Sequence, residues 1–209
     1  MVDYEAKRAF MHFYVPSPQP EEGSPIKDIE VRKGILGQRR VEITRPFKRS
    51  AKEKQELRRR TRIGIPRVLN LYTTAPFFRT YFESVGLPRE NVVFSEPTTE
   101  EMWHEGGRYG SIDPCFPSKV IQSHVHELIF HAHVDEKKRR GPLKYIFYPC
   151  ITHIPSWLGA TMDTTSCPIV SGSPNVVKAA FTKEIDFFER AGLEYLDPAL
   201  TFSEMHLTA

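Results

Sequence analysis

Two patterns of apolar and polar positions divide this chain, and the change between them comes at Ile63. Residues 16–25, PSPQPEEGSP, contain four prolines, which pre-set extended φ values and remove backbone donors, so this stretch is expected to be a linker. From Ile26 to Val41 charged and apolar residues mix without a clean period. The AKEKQELRRR run then supplies strong helix formers with few apolar anchors, which predicts a solvated helix between 50 and 62. From Ile63 onward, IGIPRVLNLY has the β-branched, apolar character of a buried strand, with Pro66 arguing for an edge position or a strand that starts beyond it. Pro76 is placed to open a helix with Phe77, Phe78, Tyr81, Phe82 and Val85 on its apolar face, closed by Gly86. The alternation continues with a strand at 91–94, helices at 98–107 and 117–133, and strands at 144–149 and 167–170. A last helix runs from about Pro174 to Arg190. This order predicts an α/β fold, a mostly parallel sheet with helices on both faces, over residues 62–209. An extended Pro-rich and basic N-terminal arm occupies residues 1–61. The expected core comprises Val68, Leu69, Phe78, Phe82, Val92, Val93, Val120, Leu128, Ile146, Phe147, Ile169, Val177 and Phe188.

Composition adds three constraints. A length of 209 residues suits one core plus an arm. No apolar run approaches the roughly 20 residues of a membrane helix, and the opening MVDYEAKRAFMHFYV lacks a signal-peptide pattern, so a cytoplasmic protein without a membrane partner is expected. The net charge of +3 conceals a basic stretch: Arg45, Lys48, Arg49, Lys52, Lys54, Arg58, Arg59, Arg60 and Arg62 stand against Glu53 and Glu56. Clustered cations can bind polyanions by counterion release, but Phe47 is the sole aromatic residue there for base stacking, so a nucleic-acid partner is not expected.

The candidate chemistry lies in three cysteines, an odd number that fits a reducing compartment. Each adjoins proline at a predicted junction: Pro114-Cys115-Phe116-Pro117 opens a helix, Pro149-Cys150 closes a strand, and Cys167-Pro168 adjoins a short strand. Loops after the carboxyl ends of parallel strands converge on one crevice, so distant cysteines can meet there. Cys115 and Cys150 suit that placement better than Cys167, whose preceding loop, 151–166, would have to fold back. A helix starting beside Cys115, with Lys119 near, would favour its thiolate. Thiolates are soft ligands for iron-sulfur clusters or zinc, and three of them leave a fourth cluster position open. Against this, free cysteines are common as small buried hydrophobes, and the compact C-x-x-C spacing of many metal sites is absent. His124, His126, His131 and His133 lie on or near one predicted helix; His124 and His131, a heptad apart, could form a metal face but more often such residues make a polar stripe. His153, three residues after Cys150, is a weaker candidate.

The segments IGIPRVLNLY, SIDPCFPSKVIQSHVHEL, YIFYPCI and CPIVSGSPNVVKAAF, taken in this order, resemble the uncharacterised domain of large CoA-substrate-specific enzyme activases, a relative of 2-hydroxyacyl-CoA dehydratase subunits. The resemblance covers about residues 62–200. It implies a Rossmann-like fold and a [4Fe-4S] cluster held by Cys115, Cys150 and Cys167 with one iron open, with Lys119 or His124 helping to orient or neutralise an anionic ligand. In such systems an ATP-driven activator delivers a low-potential electron that reduces a CoA thioester. The implied partners are therefore an ATPase activator domain or protein and a CoA thioester, whose phosphates the basic stretch could contact. The family often shows His-Gly-His after the Cys-aromatic-Pro-x-Lys element; here the residues are Gln122-Ser123-His124. Phosphate-binding loops are not visible and no GxxxxGK[ST] occurs, so ATP hydrolysis by this stretch is not expected. Two function classes remain open: an iron-sulfur electron-accepting module, and a non-catalytic docking domain that links an ATPase activator to its partner enzyme. Arg67 and Asn70 face the crevice or tie down loops.

Overall fold

Three-residue strands of almost uninterrupted apolar burial make the centre of this molecule. The computed structural model describes residues 10, 25–34, 37–48, 51–110, 115–133, 141–154, 156 and 164–202. Within it, β3 (Ile63–Ile65), β4 (Val92–Phe94), β5 (Tyr145–Phe147) and β7 (Glu194–Leu196) form a parallel sheet in the order β4-β3-β5-β7. Ile63, Ile65 and Ile146 are buried. A strand covered on both faces needs such a continuous apolar run, and each fully buried side chain of this size contributes about 2 kcal/mol.

Strand order fixes where the helices go. The chain leaves β3 through α2 (Leu71–Ser84) and returns at β4 on one side; it then crosses back over β3 through α3 (Glu100–Gly106), α4 (Phe116–Lys119) and α5 (Ile121–Glu127) to β5 on the other side. Right-handed crossovers in opposite directions put α2 on one face and α5 on the other. The final crossover, α6 (Pro168–Thr182) and α7 (Phe187–Ala191), shares the face of α5, and α5 packs against α6. The expected α/β sheet with helices on both faces is the observed one.

Pro149 and Pro198 interrupt the β5–β7 ribbon at matching places, and pairing resumes as β6 (Cys150–His153) beside β8 (Ala199–Thr201), also parallel. Tyr148 N–H donates to the Leu196 carbonyl and Cys150 N–H to the Pro198 carbonyl, which carries the ladder across the break.

Several expectations are corrected. Pro66 follows β3 rather than marking an edge: β3 is central, and a proline after the last ladder residue removes no sheet bond. α2 starts at Leu71, so Pro76 lies inside it. The CPIV segment is the first turn of α6, with Pro168 at the start where its missing N–H costs nothing; this leaves Ile169, expected in the core, exposed. The last helix is two helices, broken at Lys183–Ile185.

Residues 25–34 and 37–48, which include most of the stretch 26–41 that lacks a clean period, form an antiparallel hairpin of β1 (Pro25–Gly34) and β2 (Gly37–Lys48), with Gly37 at φ +117°, a conformation that favours glycine. The expected linker lies, apart from Pro25, outside the described residues. The solvated helix is α1 (Lys52–Arg60), which buries no residue. Arg62 is no part of an arm: its buried guanidinium donates to the carbonyls of His133 and Gly141.

α3 and α5 meet more closely than side chains normally allow. A Cβ on Gly106 would lie 2.3 Å from the Ser123 Cα, and Ser123 is itself buried. Gly106→Ala should therefore cost about 2–3 kcal/mol through forced separation of the two helices. Gly172→Ala, in α6 with open space around it, should be neutral or stabilising by up to about 1 kcal/mol. Denaturant midpoints of both variants against the parent check this pair.

Candidate functional site

In a sheet of this order the topological switch lies between β3 and β5, where one crossover departs to each side, and the loops beyond the carboxyl ends of those strands define a crevice. Leu69, in the loop after β3, has φ 44°. A side chain in that left-handed region costs roughly 1–2 kcal/mol, a strain more often kept at functional edges than elsewhere. The next residue is a tie: Asn70 Nδ2 donates to Ser166 Oγ at 3.0 Å, joining the β3 loop to the residue before Cys167.

Two of the three cysteines converge at this edge through the backbone. An antiparallel bridge pairs His153 with Thr165, and Ser166 N–H donates to the Thr152 carbonyl at 2.7 Å. The chain approaching Cys167 thus runs back along β6, the strand that Cys150 opens, and α6 packs on β6. The expected fold-back of the 151–166 loop is seen at both of its ends, whereas most residues between them lie outside the described set. Cys150 does not sit in a loop after β5, because pairing resumes at that very residue. Cys115 caps α4, a single turn that packs against α6.

The thiols differ in setting. All three are free; Cys115 and Cys167 are exposed, each immediately before a helix with proline in its first turn. The Cys115 thiol faces Ser118 Oγ at 3.4 Å, and Ser118 Oγ donates to the Cys115 carbonyl at 2.8 Å, which fixes the turn. Cys150 is buried, and burial, then the nearby Asp197 carboxylate, push its thiol up from the ordinary range, with Lys178 opposing. Lys119 closes α4 and is exposed. Among the described residues, a set of three His, Cys, Asp or Glu groups with ligand atoms all within 4.8 Å is formed by Glu105, His126 and His131, and not by the three thiols. Two thiolates on one zinc ion, each at about 2.3 Å, lie about 3.8 Å apart. A single shared ion therefore does not match this arrangement, whereas a cubane gives each thiolate its own iron and spreads the sulfurs wider.

His124 lies deeper than the sequence suggested. It is fully buried, with Nδ1 2.8 Å from Ser95 Oγ and Nε2 2.9 Å from Thr98 Oγ1. Since the Arg67 backbone N–H already donates to Ser95 Oγ at 2.8 Å, the Ser95 hydroxyl is free to donate to Nδ1, leaving the proton on Nε2 for Thr98. Burial, then the Arg67 guanidinium, lower its pKa to about 4. It is a neutral link between α5 and the loop after β4, with both ring nitrogens engaged inside the protein, and Ser95 passes the connection on to the loop after β3. His153 is tied to Thr152 and Thr165. The 124/131 metal face weighed from the sequence does not form, because the helix widens to a π turn over Leu128–Ala132 and pairs His131 with His126 instead.

A pocket of about 370 Å³ lined by Arg108, Tyr109, Ala180, Lys183 and Phe187 sits at the far end of α6 from Cys167. At 1.5 Å per residue the helix separates the two by roughly 20 Å. Among the described residues, no helix is long and apolar enough to cross a membrane.

Residues 62–208 match the model of the family described as CoA enzyme activase uncharacterised domain (DUF2229). No curated protein and no solved structure matches the chain.

His124 generates a pH dependence. Unfolded, it takes up a proton near pH 6.5; folded, only near pH 4. Its contribution is complete above pH 6.5 and is lost as pH falls through that window, by up to about 3 kcal/mol. His124→Gln should flatten the stability curve between those limits; urea midpoints at stepped pH would show an unchanged slope if the ring is not held neutral.

Proposed function

The chain belongs to the CoA enzyme activase uncharacterised-domain family, and on that premise we propose that it is the iron-sulfur-holding, electron-accepting module of a CoA-substrate activation system. The observation that supports this most is the placement of the thiols: Cys115 and Cys167 exposed ahead of two helices that pack together, and Cys150 at the head of the strand under the second helix. The donor set suits a [4Fe-4S] cluster, being three free soft ligands too widely set for one ion. Cys115, Cys150 and Cys167 would hold it, and a cubane with three protein ligands supplies an electron acceptor with one open iron. Around it, the Asn70–Ser166 bond fixes the segment carrying Cys167. Backbone bonds from Ser118 and Lys119 N–H to the Cys115 carbonyl fix the turn carrying the first thiol. Lys119, exposed on that turn, is available to an anionic ligand. The partners in this reading are an ATPase activator domain or protein that supplies the electron and a CoA thioester that receives it.

A second reading, a docking domain that links an activator to its enzyme, draws on the outer face of α2. Phe77, Tyr81 and Val85, spaced four apart, form an exposed stripe there, with Phe77 and Tyr81 stacked at 6.4 Å. Such a stripe suits a protein partner, and it is compatible with a cluster elsewhere on the domain.

Anaerobic iron and acid-labile sulfide analysis, with an absorption spectrum, tests the main proposal. The expected result is about four irons per chain or per dimer, lost in Cys115→Ala and in Cys167→Ala. Protein that stays colourless after anaerobic reconstitution would sink the redox reading in favour of docking.

A further inference from the structure

We propose a second metal site, independent of the cysteines, in which Glu105, His126 and His131 bind a divalent first-row transition-metal ion on the helical face opposite α2. Their ligand atoms lie within 4.8 Å of one another, and His131 Nε2 is 3.0 Å from Glu105 Oε2. Ligands about 2.1 Å from one ion, at tetrahedral or octahedral angles, stand about 3.0–3.4 Å apart, so this pair already has the spacing of adjacent ligands and His126 needs a small side-chain adjustment.

Three features of the fold build the site. Glu105 stands on α3 beside Gly106, whose close approach to Ser123 brings α3 onto α5. His126 stands on α5, and the π turn over Leu128–Ala132 follows it directly. In a regular α-helix residues five apart point away from each other. A π turn, with bonds from i to i+5, returns His131 to the side of His126, and such bulges recur at functional positions. The rings are 5.9 Å apart, centroid to centroid.

An independent observation points to a missing ligand. The three residues line an open pocket of about 270 Å³ together with Glu96, Thr99, Glu101, Met102 and Glu127. Glu127 is 9% exposed, and its Oε2 has no hydrogen-bond partner. A buried carboxyl oxygen without a donor, on a residue that lines an acidic pocket with two imidazoles, is a setting that a cation completes. Two histidines and one carboxylate with open positions suit Zn²⁺, Fe²⁺ or Co²⁺ rather than Mg²⁺ or Ca²⁺, which prefer all-oxygen ligands. A simple ion pair between Glu105 and His131, with His126 packed on Tyr109 and Phe130, would account for those contacts but not for the Glu127 oxygen.

The test is Co²⁺ titration of full-length apo protein, read by visible d–d absorption and by competition with Zn²⁺. It is run on the parent and on a Cys115→Ser/Cys167→Ser variant, so that thiolate binding, marked by a sulfur-to-cobalt charge-transfer band, is kept separate. One Co²⁺ per chain without that band is expected in both. Affinity should fall about tenfold or more in His131→Ala and in Glu105→Gln, both exposed positions whose substitution leaves the circular dichroism spectrum unchanged. No d–d band in the cysteine variant, or a band indifferent to both substitutions, overturns the proposal. Neither result bears on iron-sulfur binding, which Glu105→Gln should leave intact.

Discussion

Everything in this domain hangs on the burial of β3. Three residues, Ile63-Gly64-Ile65, lie between β4 and β5 with helices on both sides, and Gly64 is packed tightly: a Cβ there would stand 3.0 Å from a Leu143 methyl and 3.2 Å from a Leu128 methyl, so both would have to give way. Because the strand is central and parallel on both edges, the chain leaves β3 toward β4 on one side and β5 toward β7 on the other, and the switch between those departures creates the crevice. The strained Leu69, the Asn70–Ser166 tie and the Arg67–Ser95 bond all involve the first residues beyond β3.

The same constraint explains how chemistry can be held at the edge of so short a sheet. Strands of three residues give little length for positioning, so the site borrows rigidity from proline breaks and from side chains that cross between loops. Pro149 and Pro198 stop the β5–β7 ladder and let β6 and β8 restart it in the same register, carrying Cys150 into the sheet extension. His124, neutral and bonded at both nitrogens, holds α5 to the loop after β4 without placing a charge in the core, and Ser95 joins that loop to the one after β3. On the helical side, Gly106 draws α3 onto α5 and the π turn gathers two histidines, so close packing rather than loop length shapes the second pocket.

The elements legible in the sequence were those whose apolar period is long or whose caps are plain: the strands at Ile63, Val92 and Tyr145, the helix begun by Thr99, and the solvated α1. Thr99 shows why, since its hydroxyl accepts the Met102 N–H as an N-cap should. The β1–β2 hairpin escaped because its polar residues do not alternate cleanly with apolar ones. β7 and β8 escaped because three-residue strands carry too little pattern. Cys-Pro-Ile-Val read as a strand from its β-branched residues, although Pro168 is equally a helix-opening residue. The family and the cysteine positions could be named from ordered motifs, but their geometry depends on long-range ties such as Asn70–Ser166, which no local pattern reveals. The pairing of His126 with His131 was hidden for a different reason: a π turn breaks the 3.6-residue period on which helical faces are read.

The most direct test of the central claim, that Cys115, Cys150 and Cys167 together hold a cluster at the switch-point edge, is an anomalous difference map at the iron edge from anaerobically grown crystals. The account predicts a compact iron peak bounded by the three sulfurs, between the start of α6 and the turn of α4. Iron absent from that edge, or found only beside His126 and His131, would contradict it.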